Sequence, residues 1–167
     1  LLGGLEECLL AIPFGQEVAA TAIQMLRAIA VIANGGRLVE PYLLKEIQDA
    51  DGVTLSRKEP MVSEPFLEPE TTASIARILQ RAVTEGTGNR AQIEGIRVAG
   101  KTGTAQIARR DKAGYEQGSN IGSFVGYAPI EDPKFVMLAK IDRPKDVQFA
   151  ESSAAPLFGT IAKFMLE

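Results

Sequence analysis

Residues 95–104 read GIRVAGKTGT, and this stretch decides how the rest of the chain is interpreted. Its spacing satisfies G-x-x-x-x-G-K-[ST], the pattern of a phosphate-binding P-loop. A P-loop follows a buried strand and opens a helix at its lysine, so that backbone N–H groups point at phosphate. Here the β-branched Ile96 and Val98 alternate with other residues, and Gly103-Thr104 makes a poor first helical turn. The stretch therefore predicts a strand from about Ile96 to Ile107, with a P-loop NTPase as a remote alternative.

The composition is that of an ordinary globular domain. The chain has 167 residues, of which 46% are hydrophobic and 23% charged. A net charge of −3 with scattered charges gives no footprint for nucleic acid, so we expect no nucleic-acid partner. The chain has no histidine, which excludes a histidine base and most zinc sites, and we predict neither a metal nor a cofactor. Cys8 is the only cysteine and is expected to be a small buried apolar residue.

The hydrophobic pattern before the strand predicts two helices and a hairpin. Residues 17–34 are apolar nearly all round, which predicts a buried helix. Asp51-Gly52 predicts the turn of a hairpin. A second helix is expected from Pro69, a favourable first helical residue, to Gly86. Residues 86–91, GTGNRA, imitate a dinucleotide-binding fingerprint, but they follow a helix and therefore predict a glycine-rich turn.

After the central strand, two further strands and a helix are expected. Strands at residues 121–128 and 135–141 with short connections predict an antiparallel meander, and the polar residues 109–119 predict a solvated loop. Ser152 or Ser153 is expected to cap the final helix. Its predicted buried face is Leu157, Phe158, Ile161, Ala162 and Met165. The predicted fold class is α+β, with helices packed on an antiparallel sheet.

Short motifs along the whole chain resemble class B penicillin-binding proteins. They are FGQE at 14–17, TAIQ at 21–24, ANGG at 33–36, GTG at 86–88, AGKTGTAQ at 99–106, FVGYAP at 124–129 and AAPLF at 154–158. Each motif is weak alone, K-T-G-T-A-Q is moderately specific, and the shared order carries the resemblance. The family cross-links peptidoglycan as D,D-transpeptidases and is acylated by β-lactams. The resemblance thus implies part of a β-lactamase/transpeptidase-like fold.

The resemblance also implies the roles of the residues around K-T-G. Lys101 and Thr104 would be catalytic, with the backbone N–H of Thr104 as one of two oxyanion donors. Lys101 would contact the serine of an S-x-N motif. Substrate would bind at Thr102, Gly103, Thr104, Ala105 and Gln106.

Elementary strand geometry agrees with these roles. Thr102 and Thr104 share one side of a strand and offer hydroxyls to a terminal carboxylate. Gly103 lets an acyl group approach closely, and the edge near Gln106 offers strand addition to a peptide. On residue types alone, a solvated strand face with a bulge at Gly103 is the alternative. Phe124 and Tyr127 are expected in the core.

The chain departs from the family pattern in one respect. It contains no S-x-x-K and no S-x-N, and the Thr160–Lys163 segment has the first spacing only with threonine for serine. It also opens on Leu1 without an initiator methionine. We therefore expect residues 1–167 to be the C-terminal portion of a transpeptidase domain, inactive without its upstream half. A non-catalytic penicillin-binding-like sensor or structural module, and a serine β-lactamase, remain alternatives.

The resemblance implies partners and a location for the parent protein. The partners are stem peptides ending in D-Ala-D-Ala, β-lactams, the upstream half of the same domain and the cell-wall synthesis machinery. The location is extracytoplasmic, with a membrane anchor upstream of this chain. The most apolar segment, residues 18–33, carries Gln24 and Arg27 and predicts no membrane span. A septal and an elongation role are both open.

Overall fold

The computed structural model describes residues 19–167. The predictions for Cys8, for residues 14–17 and for the first two residues of the first helix lie outside that range. The helices and strands, in chain order, are α1 Ala22–Ala33, β1 Glu46–Gln48, β2 Thr54–Arg57, α2 Pro69–Thr84, β3 Ala99–Ala108, β4 Tyr115–Ala128, β5 Phe135–Asp142 and α3 Ala154–Leu166. Short 3-10 turns lie at Asn89–Ala91 and Ala150–Ser152. The predicted α+β class is confirmed.

The main sheet is the predicted antiparallel meander, in the order β3-β4-β5. Lys101 pairs with Val125 and Thr104 with Gly122. Within the described residues, β3 has a partner strand on one side only and is an edge strand. β1 and β2 form a separate hairpin, whose turn forms because the Asp49 carboxylate accepts the N–H groups of Asp51 and Val53 at 3.0 and 2.9 Å.

Helices cover the two faces of this sheet. On one face, α2 places Leu79 against Ala99 and Tyr127, and Ile29 and Ile32 of α1 pack against the same cluster. On the other face, α3 places Phe158 against Phe124, with ring centroids 4.6 Å apart. Phe124 and Tyr127 are therefore buried in the core, as expected. The sheet that carries the K-T-G strand is held from both sides by apolar packing.

The prediction that the first helix is buried is wrong. Of α1, only Val31 is buried, while Ile23 is 54% exposed and Met25 is exposed as well. The helix begins at Ala22 because Thr21 and Gln24 form a reciprocal capping box, at 3.2 and 2.8 Å. One side of the helix faces the sheet, and no described element covers the opposite side.

The loop predicted over residues 109–119 is shorter than expected, because β4 begins at Tyr115. Tyr115 pairs with Ala108, and the register shifts by a bulge between Gln106 and Ala108. Backbone pairing extends this hairpin through polar residues. The side-chain pattern does not reveal it, because neither face is buried there.

The buried face of α3 differs in part from the predicted one. Phe158 and Ala162 are buried as expected, but Leu157, Ile161 and Met165 are exposed. The helix buries small residues instead, namely Ala154, Ala155 and Gly159, and Gly159 lies against the backbone of Arg90 and Ala91 in the 3-10 turn. Ser153 occupies the cap position, yet its hydroxyl donates to the carbonyl of Phe149 at 3.2 Å and makes no cap hydrogen bond. Alanine and glycine are less hydrophobic than leucine, isoleucine and methionine. A hydrophobic pattern therefore predicts that the large side chains of α3 form its buried face, whereas the small ones do.

Candidate active site

Residues 95–104, which match both the P-loop pattern and the K-T-G motif, lead into a strand and not into a helix. Gly95 adopts a φ of 76°, Ile93 and Ile96 form an isolated bridge, and β3 follows from Ala99. No helix begins at Lys101, so no array of free N–H groups can hold phosphate there. The P-loop alternative is wrong. The glycine-rich segment at residues 86–91 is a turn ending in a 3-10 helix, as predicted.

Lys101 lies on the edge strand, and no residue that the structure describes is its ionic partner. Its Nζ donates to the carbonyl of Thr102 at 3.0 Å and approaches the Thr102 hydroxyl at 3.4 Å. Within residues 19–167, no carboxylate oxygen comes within 4.0 Å of that Nζ. The side chain is exposed and borders a cleft of about 400 Å³ between the sheet and α1, lined also by Gly103, Ser123 and Lys140. Among the described residues, the ammonium is therefore not neutralised by a carboxylate.

The two threonines share the other face of β3, as the strand alternation predicts, and each hydroxyl has a partner. Thr102 Oγ1 lies 2.7 Å from Thr87 Oγ1, in the glycine-rich turn after α2. Thr104 Oγ1 accepts the backbone N–H of Ala150 at 3.1 Å. A hydroxyl oxygen that accepts one hydrogen bond still has its own hydrogen to donate. Thr104 thus keeps its hydrogen for a ligand, whereas in the Thr87–Thr102 pair one hydroxyl donates to the other.

The predicted site residues border two different spaces. Lys101 and Gly103 line the cleft beside α1, and Thr102 borders it at the strand edge, whereas Thr104 and Gln106 line a groove of about 660 Å³ on the opposite face. That groove is completed by Asn120 and by the segment Val147, Gln148 and Phe149. Ala105 lies exposed on the strand between them. The strand edge joins the two spaces.

Sequence reasoning missed Ser123, which stands opposite Gly103 in the sheet. Its hydroxyl donates to the Gly103 carbonyl at 3.3 Å, and a Cβ built on Gly103 would lie 2.7 Å from that hydroxyl oxygen. Gly103 is thus already crowded from one side by a side chain that can rotate away. Thr87 belongs to the GTG motif, which predicts no role for it. Nothing in the residue types around Asn120 and Ala150 indicates that they reach the site.

Charged side chains gather at the far end of the β3–β4 hairpin. Arg143 donates to both carboxylate oxygens of Glu116, at 2.8 and 3.0 Å. This hydrogen-bonded guanidinium holds the pKa of Glu116 below its ordinary value, so the pair stays ionised at neutral pH. The described residues contain no cluster of three or more side chains suited to hold a metal ion. In the same part of the chain, no helix has the length and apolar character needed to cross a bilayer.

Comparison with known proteins agrees with this geometry. The family model described as the penicillin binding protein transpeptidase domain matches residues 5–163. Stage V sporulation protein D of Bacillus subtilis is 40% identical, over 90% of this chain and 23% of its own length. A peptidoglycan D,D-transpeptidase FtsI homolog of Mesostigma viride is 30% identical, over 92% and 28% respectively. The chain therefore spans about a quarter of the length of these curated relatives.

A solved structure shows the same arrangement of elements. Penicillin binding protein 3 of Mycobacterium tuberculosis, complexed with aztreonam, superposes with a TM-score of 0.80 at 28% identity. The superposition covers 93% of this chain and 36% of that one. Since the family match extends over nearly the whole sequence and includes the K-T-G edge strand, the chain belongs to the penicillin binding protein transpeptidase domain family.

Proposed function

We propose that residues 1–167 are the C-terminal portion of a serine-type D,D-transpeptidase domain that cross-links peptidoglycan stem peptides. The upstream half of the domain supplies the serine nucleophile, the S-x-x-K lysine and the S-x-N motif. Lys101 and Thr104 are the catalytic contributions of this chain. Substrate binds at Thr102, Gly103, Thr104, Ala105 and Gln106. The naming of one relative as a D,D-transpeptidase supports the activity, and the aztreonam complex of another supports acylation by β-lactams.

The observation that carries the proposal is the ammonium of Lys101 on an edge strand, unpaired with any described carboxylate and 3.4 Å from a threonine hydroxyl. A stem peptide ending in D-Ala-D-Ala presents a free carboxylate beside the amide to be cleaved. Lys101 supplies positive potential for that carboxylate, and threonine hydroxyls supply oriented donors. The strand edge supplies backbone groups for an extended peptide.

The chemistry follows from that placement. The serine attacks the penultimate D-alanyl carbonyl, and the carbonyl oxygen becomes an oxyanion in the tetrahedral intermediate. The backbone N–H of Thr104, with that of the serine, stabilises the negative charge. Departure of the terminal D-alanine leaves an acyl-enzyme, and the amine of a second stem peptide then takes the acyl group. A β-lactam carboxylate and carbonyl occupy the same positions, so the serine opens the lactam ring and is acylated by it.

The proposal also covers the cellular setting. A peptidoglycan substrate is assembled outside the cytoplasmic membrane, so the parent protein acts there, anchored upstream of this chain. It works beside the other enzymes of cell-wall synthesis, in division or in maintenance of cell shape. The homology to a sporulation protein and to FtsI proteins supports this setting.

The first prediction concerns covalent labelling by a fluorescent penicillin. The product of the complete reading frame is expected to form a labelled band that survives denaturation. The 167-residue chain alone is expected to form none, because it has no S-x-x-K serine. Gel fluorescence at the two masses measures both. A labelled band at the mass of the isolated chain would refute the assignment of the nucleophile to an upstream segment. Rapid loss of label from the complete protein would favour a β-lactamase.

The second prediction separates two reasons for a glycine at position 103. Gly103→Ala is expected to slow acylation of the complete protein, because its Cβ meets Ser123 Oγ and intrudes on the approaching acyl group. Adding Ser123→Gly removes the contact within the protein but leaves the methyl group on the substrate side. We expect the double variant to stay at least about 10-fold slow, as overpacking of one methyl group costs about 1–3 kcal/mol. Full recovery of the acylation rate would mean that Gly103 serves only to accommodate Ser123.

A further inference from the structure

The segment between β5 and the 3-10 turn, residues 143–149, forms one wall of the groove that contains Thr104. We call it the strap. Two of its non-glycine residues, Arg143 and Asp146, have φ values of 50° and 62°, in the left-handed region that such residues seldom adopt. A segment with this backbone holds one conformation only where its surroundings fix it.

Asn120 of β4 contacts the strap near both ends, through its backbone carbonyl at one end and through its side chain at the other. Its backbone carbonyl accepts the N–H of Arg143 at 2.9 Å, where the strap begins. Its side-chain Nδ2 donates to the carbonyl of Gln148 at 2.6 Å, near where the strap finishes. The side chain is buried, with the residue 8% exposed, and its Oδ1 has no hydrogen-bond partner among the described residues. The amide therefore acts here as a donor only. Its Oδ1 is buried without a described partner, and this unfavourable burial accompanies the placing of Nδ2 against the Gln148 carbonyl.

The end of the strap leads directly to the hydroxyl of Thr104. Two residues after Gln148, the N–H of Ala150 donates to Thr104 Oγ1 at 3.1 Å. Gly122, the strand partner of Thr104, leaves room for this approach, since a Cβ there would lie 2.5 Å from Ser153 Oγ and 3.3 Å from Ala150 Cα. Once Thr104 Oγ1 accepts this hydrogen bond, its own hydrogen can point only away from Ala150. The position of the strap thus sets the direction in which Thr104 donates.

We propose that Asn120 is a positioning residue for the transpeptidase site: by holding the Gln148 end of the strap through its side chain, it keeps Ala150 in place and so aims the Thr104 hydroxyl at the terminal carboxylate of the substrate. The inference rests on the proposed function. It makes the amide of Asn120 necessary for recognition of the carboxylate and unnecessary for attack on the carbonyl.

The test compares two acyl donors on the complete protein. One is a small thioester that ends in a carboxylate, as the natural substrate does, and the other is its methyl ester. Asn120→Ala is expected to slow acylation by the carboxylate donor about 10-fold, the order of magnitude of one lost hydrogen bond to a charged group, and to change acylation by the ester less than about 2-fold. Asn120→Asp is expected to be slower still with the first donor, because a carboxylate would face the Gln148 carbonyl.

Two controls distinguish positioning from loss of structure. Gln117→Ala removes an exposed amide from the same strand and is expected to leave both rates unchanged. Asn120→Ala combined with Thr104→Val is expected to be no slower than Thr104→Val alone, because the two changes remove one interaction. Equal loss with both donors, or full additivity of the two substitutions, would overturn the inference. Failure of the unchanged protein to react with either donor would refute the proposed function instead.

Discussion

Replacing Lys101 by alanine in the complete protein is expected to slow acylation more than about 100-fold. The change removes an ammonium group that no described carboxylate neutralises and that lies at the exposed edge strand. A hydrogen bond to a charged group is worth about 1.5–3 kcal/mol, or roughly 10- to 100-fold in rate. In the proposed function, the loss of the Lys101 contact to the S-x-N serine adds to this. Stopped-flow measurement with a chromogenic cephalosporin gives the rate constant.

Thr104→Val tests how much of the acylation rate depends on the Thr104 hydroxyl and not on the Lys101 charge. Valine keeps the backbone N–H and roughly the shape of threonine, but removes the hydroxyl and leaves the Ala150 N–H without its acceptor. We expect acylation to be about 10- to 100-fold slower, a smaller loss than for Lys101→Ala. Lys112→Ala, at the exposed tip of the same hairpin, is the charge-matched control and should leave the acylation rate unchanged. Unchanged rates for both site variants would mean that β3 does not face the substrate.

The central sheet could be predicted from sequence because its strands obey period two over buried residues. Phe124 and Tyr127 lie on opposite faces of β4, each inside a core, so alternation and burial agree there. The same rule fails at Tyr115, where β4 continues into solvent and alternation no longer coincides with burial. It fails for α1 as well. An apolar helix predicts burial, but burial depends on what covers the helix, which a local pattern does not contain.

In the candidate site, too, some residues could be predicted from a local sequence pattern and others could not. The K-T-G residues are adjacent in the chain, so a motif names them together. Thr87, Ser123, Asn120 and Ala150 reach them only through tertiary structure, from positions up to 46 residues away for the bond between Thr104 and Ala150. The Ala150 contact is made by a backbone N–H, which every residue except proline carries. A contact of this kind leaves no mark in the residue types, and only the folded chain reveals it.

The largest expected effect on stability is that of Phe158→Ala. The Phe158 side chain is fully buried, with its ring 4.6 Å from that of Phe124 and 6.3 Å from that of Phe135. Removing such a side chain costs about 3–5 kcal/mol, from lost transfer free energy and from the cavity left behind. Phe164→Ala, on the same helix but 81% exposed, is the matched control and should cost less than about 0.5 kcal/mol. The midpoint of urea unfolding of the complete protein measures both.

This difference also connects the packing of α3 to the site. Phe124 stands opposite Thr102 in the sheet, and its ring lies where a Cβ on Gly100 would be. The ring that Phe158 supports is therefore directly beneath the strand that carries Lys101. Fluorescent-penicillin labelling after graded heating should fall at a lower temperature for Phe158→Ala than for Phe164→Ala, in step with unfolding. If the two variants lost labelling together, α3 would not be what holds the K-T-G strand in place.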